Sequence, residues 1–96
     1  MKVVFTDDAL RDLDEIFQYI SAHYPAVYLR FENRLKAIAT RIGTWPESAQ
    51  EVTQRAGVRS VPVIRYPYRL FYRVRAERVE ILHVHHVARD DDLKEE

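Results

Sequence analysis

The sequence predicts an α+β domain of order β-α-α-β-β-β, a helix hairpin laid on one face of a small, mostly antiparallel sheet. Three observations predict it. Apolar residues recur at steps of three and four through the first half of the chain. After Gly57 the period shortens to two, as in strands. The breaks between segments are short, so neighbours in sequence should be neighbours in space.

The first element is "KVVF" (Lys2–Phe5), a β-branched and aromatic run that reads as a strand. Thr6 can then cap a helix, with Asp7 and Asp8 in the first turn, where the helix dipole favours negative charge. Leu10, Leu13, Ile16, Phe17 and Ile20 make one apolar face of that helix. "HYP" (His23–Pro25) breaks it, and Pro25 is placed to open the next. In the second helix Tyr28, Phe31, Leu35, Ile38 and Ile42 line the apolar face, and Gly43 reads as its stop. "TWPES" (Thr44–Ser48) is a loop, in which Trp45 is expected to lie as a lid over the end of the hairpin.

Three strands follow. "VRSVPVI" (Val58–Ile64) contains Pro62, which points to an edge position or a bulge because proline donates no ladder hydrogen bond. "YRLFYRV" (Tyr68–Val74) is the second, and "VEILHVHH" (Val79–His86) the third, joined through the short turn "RAER". In the second strand Tyr68, Leu70, Tyr72 and Val74 share one face, while Arg69, Phe71, Arg73 and Arg75 share the other. Helices on one side should cover the tyrosine–leucine–valine face. The arginine face is then open, with an aromatic ring in its middle, a pattern that fits a contact patch.

Charge is unevenly spread in this chain of 96 residues with zero net charge. Residues 1–54 carry a net of −2, residues 55–89 a net of +6 made entirely with arginines, and residues 90–96 a net of −4. Arginine offers a planar donor fork for carboxylates and phosphates, so the middle block suits an acidic partner. There is no cysteine, which excludes a disulfide framework, thiolate chemistry and a zinc ribbon. No apolar run is long enough for a membrane span, and the acidic turn after "MKVVF" does not fit a signal peptide. A soluble, cytoplasmic protein is expected, with residues 1–90 as one domain. Residues 91–96 should form an acidic, disordered tail, able to fold back on the arginines and screen them.

The ordered set "FTDDALRDLDEIFQYISAHYP", "GVRSVPV", "YPYRLFYRV" and "VEILHVHHVARD" resembles the RelE/ParE superfamily of bacterial type II toxins over nearly the whole chain. The resemblance implies the fold read above. It also implies a toxin silenced by direct binding of a cognate antitoxin, ParD-like or RelB-like, in a hetero-oligomer. The superfamily holds two activities. ParE-like members inhibit DNA gyrase without catalysing a reaction, and RelE-like members are ribosome-dependent mRNA endoribonucleases.

Cleavage of RNA by its 2′-hydroxyl needs a base, a cation beside the phosphorane and an acid for the leaving oxygen. On the RelE-like reading these come from His86, Arg89, Arg59 and Arg69, with Arg65, Arg73 and His85 as further candidates. Against that reading, the lysines before the tail are Lys2 and Lys36, neither of them on the three strands that follow Gly57. The sequence pI is near 6.9, low for a protein that docks among RNA phosphates. "YPYRLFYRV" is also closer to the ParE branch. The expectation is therefore a non-catalytic, ParE-like gyrase inhibitor whose binding surface is Arg59, Arg69, Phe71, Arg73, His86 and Arg89. No cofactor is implied. His83 and His85 alternate onto one face at a spacing compatible with a two-histidine metal site, but no third ligand is evident, so no metal is expected. Glu80 reads as a solvent-face charge.

Overall fold

The computed structural model describes residues 1–87. The order is β1 (Lys2–Phe5), α1 (Asp7–His23), a 3-10 turn (Pro25–Val27), α2 (Tyr28–Thr44), β2 (Gln50–Glu51), β3 (Val58–Val63), β4 (Tyr68–Arg75) and β5 (Arg78–His86). The strands form one sheet ordered β1-β5-β4-β3-β2. β1 runs parallel to β5 and every other pair is antiparallel. The helices pack on one face, as the periodicity predicts.

Local chemistry sets the element ends. The Thr6 hydroxyl accepts from the Ala9 N–H at 3.2 Å and donates to the Ile81 carbonyl at 2.9 Å. One side chain thus caps α1 and ties its start to β5. α1 ends where the Tyr24 N–H meets the Ile20 carbonyl, and Pro25 opens the 3-10 turn leading into α2. The turn between β4 and β5 uses Ala76 and Glu77 at φ 51° and 62°, the paired left-handed residues of a tight hairpin.

The core lies between helices and sheet. Ala9, Leu13, Ile16 and Ile20 of α1 meet Phe31, Leu35, Ile38 and Ile42 of α2, and both sets pack on Leu70, Tyr72, Val79, Ile81 and Val84. Phe31 is fully buried, edge-on to Tyr66 and Tyr68 at 5.1 and 5.6 Å. The Tyr72 hydroxyl donates to the Pro46 carbonyl at 2.6 Å, and burial raises its pKa above the ordinary value.

Four expectations are corrected. Leu10 is exposed and Ala9 is buried in its place, because the buried stripe runs through 9, 13, 16 and 20. Gly43 does not end α2, which continues through Thr44. It is a contact glycine: a Cβ there would meet the Met1 carbonyl oxygen and Val3 Cγ2, each at 3.0 Å. Trp45 is 66% exposed and lines an open groove at the end of α2 rather than closing over it, and the loop after α2 is held by Tyr72 and Arg59. Val74 is 40% exposed near the end of β4. The structure also adds β2, whose two residues pair with Ser60 and Arg59 and are too short to show a period. Pro62 lies past the end of β2, where β3 is the sheet's edge. The expectation of a tail at residues 91–96 lies outside the described residues.

Candidate functional site: the open face of the sheet

Residues directly opposite each other on neighbouring strands share a face. The β3–β4–β5 register therefore sorts the candidates. On the open face the rows are Pro62–Arg69–His85, Ser60–Phe71–His83 and Val58–Arg73–Glu80, followed by the pair Arg75–Arg78. On the helix face they are Val63–Tyr68–His86, Val61–Leu70–Val84 and Arg59–Tyr72–Ile81, with Val74–Val79.

The register slips between Phe71 and Tyr72, whose partners are His83 and Ile81, so Leu82 is an extra residue in β5. This β-bulge decides which histidines face which way. Unbroken alternation would carry Val79 and Ile81 on to His83 and His85. With the bulge, Val84 and His86 join the helix face, and His83 and His85 turn to the open one.

Of the predicted surface, the structure brings Arg69, Phe71 and Arg73 together. Arg59 and His86 sit on the other face, a correction to their grouping with Phe71. Arg59 follows from its position opposite Tyr72: it donates to the Ala49 carbonyl at 2.6 Å and so clamps the loop before β2. His86 follows from the bulge, and its ring lies edge-on to Tyr68 at 5.4 Å. Arg65 is in the β3–β4 turn at φ 77°. It lines, with Tyr19, Tyr24, Tyr66 and His86, a groove of about 910 Å³ beside the C-terminal half of α1. Arg89 lies outside the described residues.

The arginines of the open face are partly committed within the chain. Arg73 Nε donates to Glu80 Oε1 at 2.9 Å, and Arg78 donates to Oε2 through Nε at 3.1 Å and Nη2 at 2.9 Å. Glu80 is buried, contrary to its reading as a solvent-face charge, because two guanidinium groups close over it. The hydrogen bonds from Arg73 and then Arg78 lower its pKa. Arg69 Nη1 reaches the Ser60 hydroxyl at 3.3 Å.

Beside this charge network is a second group that the sequence did not reveal whole. Beyond the end of β1, the edge of β5 is taken up by Asp12 of α1, whose Oδ2 accepts from the Val84 N–H at 3.0 Å. The same oxygen lies 3.5 Å from His83 Nδ1 and 3.9 Å from His85 Nε2. The two imidazole rings are 4.8 Å apart, and His85 lies 5.6 Å from Phe71. In sequence, Asp12 is indistinguishable from its neighbours Asp7, Asp8, Asp14 and Glu15. The bulge does leave a mark, since apolar residues fall at 79 and 81, then at 82 and 84.

Two helices on one face of a β1-β5-β4-β3-β2 sheet, the other face charged and aromatic, define the RelE/ParE class of toxin fold. The chain belongs to the ParE toxin family of type II toxin–antitoxin systems, whose family model, described for parDE, matches residues 3–91. It is 35% identical over 88 residues to Toxin RelE2 of Caulobacter vibrioides, covering 92% of this chain and 97% of that one. A chain of the chromosomal ParDE toxin–antitoxin system from P. aeruginosa superposes with a TM-score of 0.76 at 22% identity, over 90% of this chain and 95% of that chain. The YoeB/ParE toxin from Agrobacterium tumefaciens gives 0.64 at 16% identity, over 90% and 98%. These two likenesses concern the fold alone.

Proposed function

We propose that this chain is a toxin held silent by direct binding of a cognate acidic antitoxin, and that the free toxin inhibits DNA gyrase by contact, without catalysis. The observation that carries the non-catalytic reading is that the cleavage set implied by the resemblance is split, His86 and Arg59 falling on one face and Arg69 on the other. A 2′-hydroxyl cleavage centre needs base, cation and acid around one phosphate. Here Arg59 and His86 lie on the helix face while Arg69 and Arg73 lie on the open one. Arg73 is moreover engaged by Glu80, and Arg59 by backbone carbonyls.

What the open face offers instead is a binding surface. Phe71 supplies an apolar anchor between Arg69 and Arg73, Arg75 lies one row further on, and a partner carboxylate can compete with Glu80 for Arg73. Charge complementarity of this kind speeds encounter and sets register, while the buried ring holds the complex.

A second reading is a ribosome-dependent endoribonuclease. It is favoured by the likeness to Toxin RelE2 and by the His83–Asp12 pair, an imidazole beside a carboxylate on the face that carries Arg69. One experiment separates the two. Purified toxin is added to a gyrase supercoiling assay and, in parallel, to a translating extract with labelled message. Lost supercoiling with intact message supports the gyrase reading. Cut message with gyrase untouched overturns it.

A further inference from the structure

We propose that Asp12, His83 and His85 form a binding site for one divalent transition-metal ion, zinc being the ion that best suits the donor set. The sequence offered two histidines at a strand's alternate positions. The fold supplies the third donor from a different element, and the β5 bulge turns both rings to meet it. One ligand atom from each of the three residues falls within 4.8 Å of the others.

The distances fit a site that closes on the ion. In a tetrahedral zinc centre with bonds of about 2.0–2.1 Å, neighbouring ligand atoms are roughly 3.3 Å apart. Asp12 Oδ2 is already 3.5 and 3.9 Å from the two imidazole nitrogens. The remaining closure is less than about 1.5 Å for any pair, within reach of small χ rotations of half-buried side chains. Two imidazoles and one carboxylate are borderline and hard donors, which suits zinc better than calcium or magnesium. Three protein ligands leave one position for water or for a donor from a bound partner.

The site also has an outer shell. The Val84 N–H holds Asp12 Oδ2 at 3.0 Å, fixing the carboxylate while its other lone pairs stay available. Thr6 anchors the start of α1 to β5 six residues earlier. The carboxylate is thus carried on a helix fastened at both points to the strand that carries the histidines. Metal binding would cross-link α1 to the part of β5 that β1 does not reach. The three donors would hold the ion whether gyrase or the ribosome is the toxin's target.

The test uses the full-length chain after chelator treatment and dialysis. Zinc chloride is titrated in competition with a chromophoric zinc indicator, and the four histidine imidazoles are followed by NMR. One zinc per chain is expected, with the signals of His83 and His85 shifting and those of His23 and His86 unmoved. His83→Gln and His85→Gln should each weaken binding roughly ten-fold or more, and His23→Gln should not. Cobalt(II) in place of zinc should give the visible bands of a low-coordinate site. Absence of stoichiometric binding overturns the proposal, as does binding that shifts other imidazoles or survives both substitutions. The NMR readout on the unmutated chain decides the matter even where a variant fails to fold.

Discussion

The two faces of the central sheet are built from the same three strands and teach opposite lessons about arginine and aromatic residues. On the helix face, Tyr72 and Leu70 are fully buried, and the one arginine, Arg59, is spent on loop carbonyls. On the open face, Phe71 stays half-buried among Arg69, Arg73 and Arg75, and the charges are organised by Glu80. Packing sets the first face and electrostatics the second. Truncations should therefore hurt stability on the helix side and partner binding on the open side.

The largest effect is expected from Phe31→Ala. Phe31 is fully buried and joins both helices to Tyr66 and Tyr68, so its loss leaves a cavity between helices and sheet. Chemical denaturation should show a loss of about 3–5 kcal/mol, with Leu35→Ala at about 2–5 kcal/mol. A loss below 1 kcal/mol for Phe31→Ala would mean that the helix face is not the stabilising one. Gly43→Ala comes next. The helix gains about 1 kcal/mol of propensity, but the new methyl meets the Met1 carbonyl and Val3 at 3.0 Å. Overpacking costs about 1–3 kcal/mol, so a net loss near 1 kcal/mol is expected in the same assay. A stabilised Gly43→Ala would show that β1 yields freely.

Phe71→Ala sharpens the contrast. Half of a phenylalanine's burial is worth about 1 kcal/mol, so the thermal midpoint should fall only slightly. Affinity for the antitoxin, read by calorimetry, should fall by at least ten-fold. A variant with normal affinity would remove Phe71 from the interface and leave the arginines alone to explain it.

The helix face was legible because its signal is periodic and redundant. Several residues at steps of three and four fix α1 and α2 even when one of them, Leu10, turns out to be exposed. The open face was legible only in β4, where alternation runs unbroken from Tyr68 to Arg75. In β5 a single extra residue, Leu82, reverses the facing of everything after it and carries His86 away from the face of Arg69 and Arg73. The doubled apolar step Ile81-Leu82 is the trace of that reversal. Asp12 and Glu80 were out of reach for another reason. Their roles come from pairing across elements: Asp12 with a β5 edge that β1 leaves bare, and Glu80 with two arginines brought over it by the register.

Glu80→Gln tests whether the open face is indeed organised by charge. It should have the smallest effect of the five substitutions at neutral pH, because Arg73 and Arg78 keep 40% and 50% of their side chains in water and pairs open to water are worth little. Its pH dependence is the diagnostic part. Arg73 and Arg78 depress the folded-state pKa of Glu80 below its ordinary value of 4.5. The folded state therefore binds fewer protons than the unfolded state between the two pKa values, and stability there rises with pH and is lost as pH is lowered. The contribution is full above the unfolded value and is lost as pH falls through the folded one. Glutamine has no proton to bind, so melting curves of the two proteins should differ at pH 7 and converge in acid. A difference that persists unchanged below the folded pKa would mean that Glu80 acts through shape and hydrogen bonding rather than charge. The open face would then be held together by packing, as the helix face is.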